Sequence, residues 1–277
     1  MSVNRIMQLG LIGRGIHYSL SPVIHQTAAR WIGIEASYQL HDLNSADEVR
    51  RFLRLAWEDG ACGFNVTQPW KLLFGSVPVN TLYRAPHINS WSTTSTDGEG
   101  FLKGLSKIGC VPASIRRMIF LGAGAVVSSI VDAVSRECDV APEVHCLHRN
   151  APGTAQERST WHSHGWNPSA LARLLAEHCP GTILIQATPL PLLGDPMAGF
   201  ADTIAKHRQS GQLWVVDLCY GKHSLMVDMA AGEGIPAQDG LPMLIEQARS
   251  AQEIWWGKSA PYETLEEACL TSLRQRG

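Results

Sequence analysis

The fold is decided by residues 120–127, which read Phe120-Leu121-Gly122-Ala123-Gly124-Ala125-Val126-Val127. The apolar residues before Gly122 predict a buried strand, and the small residues after it predict a tight turn that opens a helix. Gly122 allows the turn, and Gly124 lets the backbone approach a pyrophosphate at the helix N-terminus, where N–H groups and the helix dipole favour an anion. A strand-to-helix turn without a ligand is the alternative, because a bare Gly-x-Gly is a weak signal.

Strands and helices alternate on both sides of this turn. The sequence predicts further strands at 7–13, 37–43, 61–66, 143–148, 182–187 and 213–219, and helices at 23–32, 45–57, 168–178, 241–256 and 262–275. Such alternation is the signature of mostly parallel sheets. We therefore predict an α/β protein with an N-terminal mostly parallel α/β domain, a Rossmann-type dinucleotide-binding domain, and C-terminal helices that return to the first domain.

A change of composition marks the domain boundary. Residues 92–98 are all small or polar, and a helical pattern follows them. We place a substrate-binding and catalytic domain at 1–98, a dinucleotide-binding domain at 99–240 and the returning helices at 241–277. The segment 82–84 is expected to form a hairpin with 90–92.

The overall composition excludes several classes of protein. The 277 residues are 45% hydrophobic and 17% charged, with a net charge of -2, which is typical of a globular protein and gives no strong field for nucleic acid or an acidic membrane. The seven cysteines are scattered without C-x-x-C spacing, so neither a zinc knuckle nor a redox pair is predicted. We expect a cytoplasmic protein that is a monomer or a homodimer and has no metal site.

Three polar motifs lie near predicted strand ends, where open α/β sheets hold ligands. Ser19 and Ser21 can bind hydroxyl or carboxylate groups, although Ser21 precedes a proline and could instead cap the next helix. Lys71 follows a polar strand end and a proline, and a lysine held in place can serve as an acid or base. Taken alone, Lys71 is better explained as a surface lysine and Asp97 as a helix cap.

The end of the predicted strand 143–148 bears on the choice of cofactor. An NAD site usually places Asp or Glu there to bind the ribose hydroxyls, whereas this chain has His148-Arg149-Asn150. A guanidinium suits a 2′-phosphate, so Arg149 favours NADP. A solvated Arg149 is the alternative, and NAD then becomes the other candidate cofactor.

Taken together, the motifs resemble the shikimate dehydrogenase family, which includes the quinate/shikimate dehydrogenases. The most specific match is the family's Asn-Val-Thr-x-Pro-x-Lys, found here as Asn65-Val66-Thr67-Gln68-Pro69-Trp70-Lys71. The other matches follow in the family's order over nearly the whole chain: Ser19-Leu20-Ser21-Pro22, Val79-Asn80-Thr81, Ser95-Thr96-Asp97-Gly98, Gly122 to Ala125, His148-Arg149-Asn150, Gln186-Ala187-Thr188-Pro189, Asp217-Leu218-Cys219-Tyr220 and Gly240 to Gln247.

The resemblance implies an NADP-dependent oxidoreductase of aromatic amino acid biosynthesis that interconverts 3-dehydroshikimate and shikimate, with a hydroxylated ring carboxylate as its ligand. Lys71 and Asp97 would then be the catalytic pair. Substrate-binding residues would be Ser19, Ser21, Thr67, Asn80, Tyr220 and Gln247. Cofactor-binding residues would be Gly122, Gly124, Ala125, His148, Arg149, Asn150, Thr188, Leu218, Gly240 and Met243.

Departures from the family pattern leave alternatives open. The stretch from Lys71 to Asn80 is shorter than in the family, so Asn89 is a rival of Asn80 as the substrate-binding asparagine. The second hypothesis is a dehydrogenase of the same fold that acts on quinate or an amino-substituted ring, with NAD or NADP. The third is a regulatory protein that binds a dinucleotide without catalysis.

Overall fold

The computed structural model describes residues 6–149, 160–177, 179–195, 197–206 and 213–276. The chain forms two compact units. Unit 1 comprises Met1–Gly100 and Ile245–Gly277, and unit 2 comprises Phe101–Leu244. Within the described ranges, no helix is long and apolar enough to cross a membrane.

Unit 1 is built on a five-stranded mixed sheet. Its strands are β1 (Met7–Gly13), β2 (Ala36–Asp42), β3 (Gly63–Val66), β4 (Thr81–Arg84) and β5 (Trp91–Thr94), in the spatial order β2-β1-β3-β4-β5. The pairs that β1 makes with β2 and β3 are parallel, whereas β3, β4 and β5 pair antiparallel. The expected hairpin is therefore present, as β4 and β5, with Arg84 opposite Trp91.

Local sequence signals bound the helices of the N-terminal part of unit 1. Helix α1 (Ser21–Ile32) ends at Gly33, whose φ of 78° is the left-handed conformation that glycine adopts without strain. Helix α2 (Ala46–Glu58) begins after Ser45, whose side chain accepts a hydrogen bond from the backbone N–H of Glu48. Helix α3 (Asp97–Gly104) follows β5 and continues into unit 2.

Unit 2 is built on a six-stranded sheet in which every pair is parallel within the described residues. Its strands are β6 (Arg117–Leu121), β7 (Glu143–His148), β8 (His162–Gly165), β9 (Thr182–Gln186), β10 (Leu213–Asp217) and β11 (Ala237–Gln238), and its further helices are α4 (Ala125–Glu137), α5 (Pro168–Ala176), α6 (Ala198–Lys206) and α7 (Leu225–Gly232). The spatial order is β11-β10-β9-β6-β7-β8. Counted within the sheet this is 3-2-1-4-5-6, the order of the Rossmann fold.

The sheet of unit 2 is buried on both faces. Met118 and Phe120 of β6 belong to one apolar cluster, and the alternate residues Ile119 and Leu121 belong to another. A parallel sheet covered by helices on both sides requires such continuously apolar strands, which explains why they could be predicted from apolar runs. The predicted fold class is confirmed.

The last two helices are α8 (Leu241–Trp256), which begins in unit 2 and continues into unit 1, and α9 (Tyr262–Arg276). In unit 1, α9 packs against α1, and Nε1 of Trp255 donates to the carbonyl of Leu82 at 3.0 Å. The C-terminal helices thus return to the first part of the chain, as expected.

Some element bounds differ from the predictions. Helix α1 begins two residues before Val23, because Pro22 is accommodated in the first helical turn. Strand β3 begins at Gly63 rather than Ala61, because the N–H of Ala61 donates to the carbonyl of Ala56 at the end of α2. Strands β8 and β11 and helices α6 and α7 were not among the predicted elements.

Candidate active site

Lys71 and Asp97 form a buried ion pair in unit 1. Nζ of Lys71 lies 2.5 Å from Oδ2 of Asp97, and the two residues are 9% and 1% exposed. The surface-lysine alternative is therefore wrong. Instead of acting as a helix cap, the Asp97 carboxylate accepts hydrogen bonds from the side chains of Lys71 and Asn80.

The backbone around Lys71 holds its side chain in place. Lys71 lies in a short 3-10 helix, Trp70–Leu72, whose first N–H donates to the carbonyl of Thr67 at 2.9 Å. The N–H of Val79 donates to the carbonyl of Lys71 at 2.8 Å. The segment 72–78 is therefore a loop whose two ends meet at Lys71. This loop is the stretch that is shorter than in the family.

Asn80 is the centre of the hydrogen-bond network around Asp97. Its Nδ2 lies 2.9 Å from Oδ1 of Asp97 and 3.0 Å from Oε1 of Gln247, and its Oδ1 accepts from the backbone N–H of Thr96 at 2.8 Å. Asn80 is 3% exposed, whereas its rival Asn89 is exposed in the β4–β5 loop. The structure therefore brings Asn80, rather than Asn89, to the Lys71–Asp97 pair.

Gln247 reaches this network because α3 and α8 approach closely within unit 1. A side chain at Gly100 would place its Cβ 2.6 Å from the backbone nitrogen of Gln247, so only glycine fits there. Asp97 lies one turn before Gly100 in the same helix. The close helix contact therefore brings Asp97 and Gln247 together.

The two predicted serines lie together before α1. Oγ of Ser19 lies 3.1 Å from Oγ of Ser21 and also accepts from the backbone N–H of Ser21 at 3.2 Å. Both are buried, and the Ser21 side chain does not cap the helix. Thr67, half-buried, lies where a Cβ on Gly13 would come within 2.6 Å of its methyl group.

Three side chains that the sequence analysis did not select also belong to this network. Oη of Tyr38 donates to Oδ1 of Asn65 at 2.7 Å, and Nδ2 of Asn65 lies 3.2 Å from Oγ1 of Thr81. Asn65 and Thr81 occur in family motifs, and the place of Asn65 at a strand end is the signal that the sequence offers. Tyr38 carries no local signal beyond its place in a strand.

An uncharged histidine lies against this network. Burial lowers the pKa of His25 from 6.5 to about 3, because desolvation outweighs its hydrogen bond with Asn65. The imidazole stacks on the ring of Tyr38 with 4.4 Å between the centroids. His25 is therefore neutral at physiological pH, and the charges at the centre of unit 1 remain those of Lys71 and Asp97.

In unit 2, the turn after β6 has the geometry of an anion cradle. Gly122 has a φ of 115°, and a Cβ there would lie 2.8 Å from the methyl group of Thr188. A Cβ at Gly124 would meet nothing within 4 Å, so there is open space before α4, and no side chain caps the helix that Ala125 begins. The turn lies between β6 and β9, where the strand order reverses, which is the ligand crevice of this fold.

The turn after β7 is only partly described. His148 ends the strand half-buried, and Arg149 is exposed, so its guanidinium is accessible to a phosphate. Asn150 lies outside the described residues. Together, the open glycine turn, the uncapped helix and Arg149 fit a dinucleotide with a 2′-phosphate.

The remaining predicted cofactor residues cluster elsewhere in unit 2. A Cβ at Gly240 would lie 2.2 Å from the carbonyl oxygen of Leu218, so these two residues are in direct backbone contact. Leu218 also packs on the apolar cluster that contains Met243. Tyr220 lies half-buried in unit 2, after β10.

A buried carboxylate anchors the loop that carries Leu218 and Tyr220. Oδ1 of Asp217 accepts from the N–H of Cys219 at 2.9 Å and from Nε2 of Gln186 at 3.1 Å, and its Oδ2 accepts from Oγ of Ser224 at 2.7 Å. Burial raises the pKa of Asp217, and these hydrogen bonds oppose the rise. The carboxylate thus joins β9, β10 and the start of α7.

The fold and these two clusters define a two-domain α/β protein with a buried lysine–carboxylate pair in one unit and a Rossmann-type anion cradle in the other. The family model of the shikimate dehydrogenase substrate binding domain matches residues 11–77. The shikimate dehydrogenase (NADP(+)) of Thermosynechococcus vestitus is 27% identical, over 96% of this chain and 95% of that protein.

Solved structures agree with this comparison. Shikimate dehydrogenase from Aquifex aeolicus is 25% identical with a TM-score of 0.79, covering 97% of this chain and 99% of that one. Shikimate 5-dehydrogenase from Thermus thermophilus, solved in complex with NADP(H) and shikimate, is 23% identical with a TM-score of 0.78, covering 96% and 100%. The chain is therefore similar to shikimate dehydrogenases along nearly its whole length, in agreement with the resemblance that the sequence motifs indicated.

Proposed function

We propose that this chain is an NADP-dependent shikimate dehydrogenase, which interconverts 3-dehydroshikimate and shikimate. The observation that carries the proposal is the buried contact of 2.5 Å between Lys71 and Asp97. Asn80 donates to Asp97 and also to Gln247. The names of the relatives support the substrate and the cofactor.

Lys71 and Asp97 manage the proton. Reduction of a ketone leaves an alkoxide, and an ammonium group beside that oxygen stabilises the charge and donates a proton. In the reverse direction, the neutral amine accepts the proton of the hydroxyl. Asp97 keeps Nζ of Lys71 in one position, because Asn80 occupies its other oxygen at 2.9 Å.

The other polar groups of unit 1 hold the ring. Ser21 accepts a hydrogen bond from Ser19, so its own hydroxyl hydrogen is available for the substrate carboxylate. Gln247 accepts from Asn80 through Oε1, so its Nε2 can donate to a ring hydroxyl. Thr67 provides a further hydroxyl group, and Tyr220 of unit 2 is assigned to the substrate carboxylate.

Unit 2 holds the cofactor, which supplies or accepts the hydride when bound. The N–H groups at the start of α4, with Gly122 and Gly124, bind the pyrophosphate, and Arg149 pairs with the 2′-phosphate. His148 and Thr188 complete the dinucleotide site, Asn150 is assigned to it from the sequence alone, and Leu218, Gly240 and Met243 line the nicotinamide pocket. Gly240 and Leu218 adjoin there through direct backbone contact.

The test is a panel of shikimate and quinate, each with NADP and NAD, on the purified chain and on Lys71→Ala. We expect shikimate with NADP to give the highest kcat/KM and Lys71→Ala to lose it. A higher kcat/KM for quinate, or for NAD, would move the assignment to the second hypothesis. If no combination turns over while NADP raises the Tm, the chain is a dinucleotide-binding protein without catalysis.

A further inference from the structure

We propose that Tyr38 is a positioning residue for the Lys71–Asp97 pair and acts through a hydrogen-bonded chain of three side chains, those of Asn65, Thr81 and Asn80. The catalytic meaning of this inference rests on the proposed function. The chain of hydrogen bonds itself lies wholly within unit 1.

The hydrogen bonds follow one another without a gap. Oη of Tyr38 donates to Oδ1 of Asn65 at 2.7 Å, and Nδ2 of Asn65 donates to Oγ1 of Thr81 at 3.2 Å. Oγ1 of Thr81 donates to Oδ1 of Asn80 at 2.9 Å, and Nδ2 of Asn80 donates to Oδ1 of Asp97 at 2.9 Å. Lys71 donates to the other oxygen of the same carboxylate.

The neighbours of the two amides fix their orientations. Nδ2 of Asn65 also faces the carbonyl oxygen of Asn80 at 3.2 Å, and a carbonyl can only accept. Oδ1 of Asn80 faces the backbone N–H of Thr96 at 2.8 Å, and an N–H can only donate. Both amides are therefore locked, and every donor in the chain points from Tyr38 towards Asp97.

The sheet and an aromatic cluster hold the far end of the chain. In the register of the sheet, Tyr38 lies opposite Leu9 of β1, and Asn65 lies opposite Leu11, so both side chains share one face and Tyr38 reaches across β1. His25 stacks on the Tyr38 ring at 4.4 Å with 14° between the planes. Tyr38 is 2% exposed, so its hydroxyl keeps one position.

A chain of aligned donors in a dry interior polarises each of its members, which strengthens the last hydrogen bond to the carboxylate. Thr81 and Asp97 are 0% and 1% exposed, so water does not screen the chain at its end. These hydrogen bonds fix Oδ1 of Asp97, and Oδ2 therefore remains directed at Nζ of Lys71. Breaking the series of hydrogen bonds at Tyr38 or Thr81 should loosen the Lys71–Asp97 pair without removing any side chain that is assigned to the substrate.

The kinetic test compares Tyr38→Phe, Thr81→Val and Thr81→Ser with Tyr262→Phe. Tyr262 is a matched control, because it is also buried in unit 1 but its hydroxyl lies 2.9 Å from Glu266. We expect Tyr38→Phe and Thr81→Val to lower kcat about fivefold to tenfold, as for one lost hydrogen bond, with little change in KM. Tyr262→Phe should leave both constants unchanged.

The two Thr81 variants separate positioning from packing. Valine keeps the shape of threonine and removes the hydroxyl, whereas serine keeps the hydroxyl and removes the methyl group. Positioning predicts a higher kcat for Thr81→Ser than for Thr81→Val, and packing predicts the reverse. The double variant of Tyr38→Phe and Thr81→Val should lower kcat no more than the single variant with the larger effect, because both substitutions break the same series of hydrogen bonds.

A second readout does not depend on turnover. Buried hydroxyl protons exchange slowly, so the Tyr38 hydroxyl can be followed by proton NMR. Asp97→Asn, at the other end of the chain, should shift the Tyr38 hydroxyl resonance and leave that of Tyr262 in place. If the resonance does not move, or if Thr81→Val is more active than Thr81→Ser, the inference is overturned. If Asp97→Asn shifts the resonance but the wild-type protein reduces no substrate, only the proposed function is contradicted.

Discussion

At the scale of single residues, burying a lysine requires a partner that compensates for its lost hydration. Lys71 has that partner in Asp97, and neither side chain reaches bulk water to any large extent. The pair therefore has two roles, since its charges support each other in the folded chain and its ammonium group is available for proton transfer. A change at either residue should be visible in both stability and rate.

We expect Lys71→Met to lower kcat/KM by about 10²–10⁴-fold, because the proton donor is removed. Its free energy of unfolding should fall by about 3–5 kcal/mol, because Asp97 is left as an unpaired buried charge. Steady-state kinetics and urea unfolding measure the two effects. Lys258→Met, at an exposed lysine of the same unit, is the control. Adding Asp97→Asn to Lys71→Met should restore part of the stability, and no recovery would contradict the explanation.

His25 gives unit 1 a dependence of stability on pH. Its pKa is about 3 in the folded chain and 6.5 in the unfolded chain. Between these pH values, the unfolded chain therefore binds one more proton than the folded chain. The free energy of unfolding should therefore fall as pH drops below 6.5, by about 1.4 kcal/mol per pH unit for this proton. His25→Phe should flatten this slope, and His87→Asn, at an exposed loop histidine, should not. Urea unfolding between pH 4 and about 7 checks both.

At the scale of elements, a substitution in the strand-to-helix turn of unit 2 should change cofactor binding without changing stability. A methyl group at Gly124 meets no atom of the chain within 4 Å, and Gly124 has an ordinary φ of -78°. We expect Gly124→Ala to leave the Tm of the free protein unchanged. Its Kd for NADP should rise about tenfold or more, because the methyl group occupies space assigned to the pyrophosphate. If calorimetry gives Gly124→Ala and the wild type the same Kd for NADP, the pyrophosphate does not bind at this turn.

The contact between β10 and the start of α8 should respond in the opposite way. A Cβ on Gly240 would lie 2.2 Å from the backbone oxygen of Leu218, so the backbone must shift. We expect Gly240→Ala to lower the free energy of unfolding by about 1–3 kcal/mol, measured by urea unfolding. Gly232→Ala, in α7 with open space around it, is the control and should be neutral or slightly stabilising.

The central elements of unit 2 could be predicted from the sequence because a sheet covered on both faces needs apolar strands, as in 118–121 and 183–185. Strand β8 contains His162, Ser163 and His164, and β11 has two residues, so neither shows an apolar run. Lys71 and Asp97 could be selected as candidates, but they lie 26 residues apart, and local patterns predicted a surface lysine and a cap. Only the pairing of β3, β4 and β5 brings them together.

Tyr38 and Thr81 could not be identified from the sequence as members of the site. Tyr38 lies on β2, and Asn65, its partner on β3, is reached across β1. The strand order β2-β1-β3 therefore decides the contact, and strand order is a property of the whole sheet. Asn65, Asn80 and Thr81 each occur in a family motif, but no pattern along the chain indicates that the two amides are joined through the Thr81 hydroxyl.

At the scale of the whole molecule, the two units carry separate sets of candidate residues. The serine loop, Lys71 and Asp97 belong to unit 1, and the glycine turn belongs to unit 2. We expect shikimate to slow amide hydrogen exchange mainly at 19–21, 67–71 and 96–97, and NADP mainly at 122–127. Hydrogen exchange with mass spectrometry measures this with each ligand alone. Protection of 122–127 by shikimate alone would contradict the division of roles.

The chain of side chains that ends at Asp97 also limits where protons can travel. A hydroxyl can receive a proton on one side and release another on the other side, but a locked amide cannot, because its N–H₂ and C=O groups do not exchange roles. Asn65 and Asn80 interrupt the hydroxyls of Tyr38 and Thr81 in this way. The chain therefore transmits electrostatic polarisation while insulating the pair against proton leakage into the sheet. A proton that Lys71 gains or loses is therefore not exchanged through these side chains.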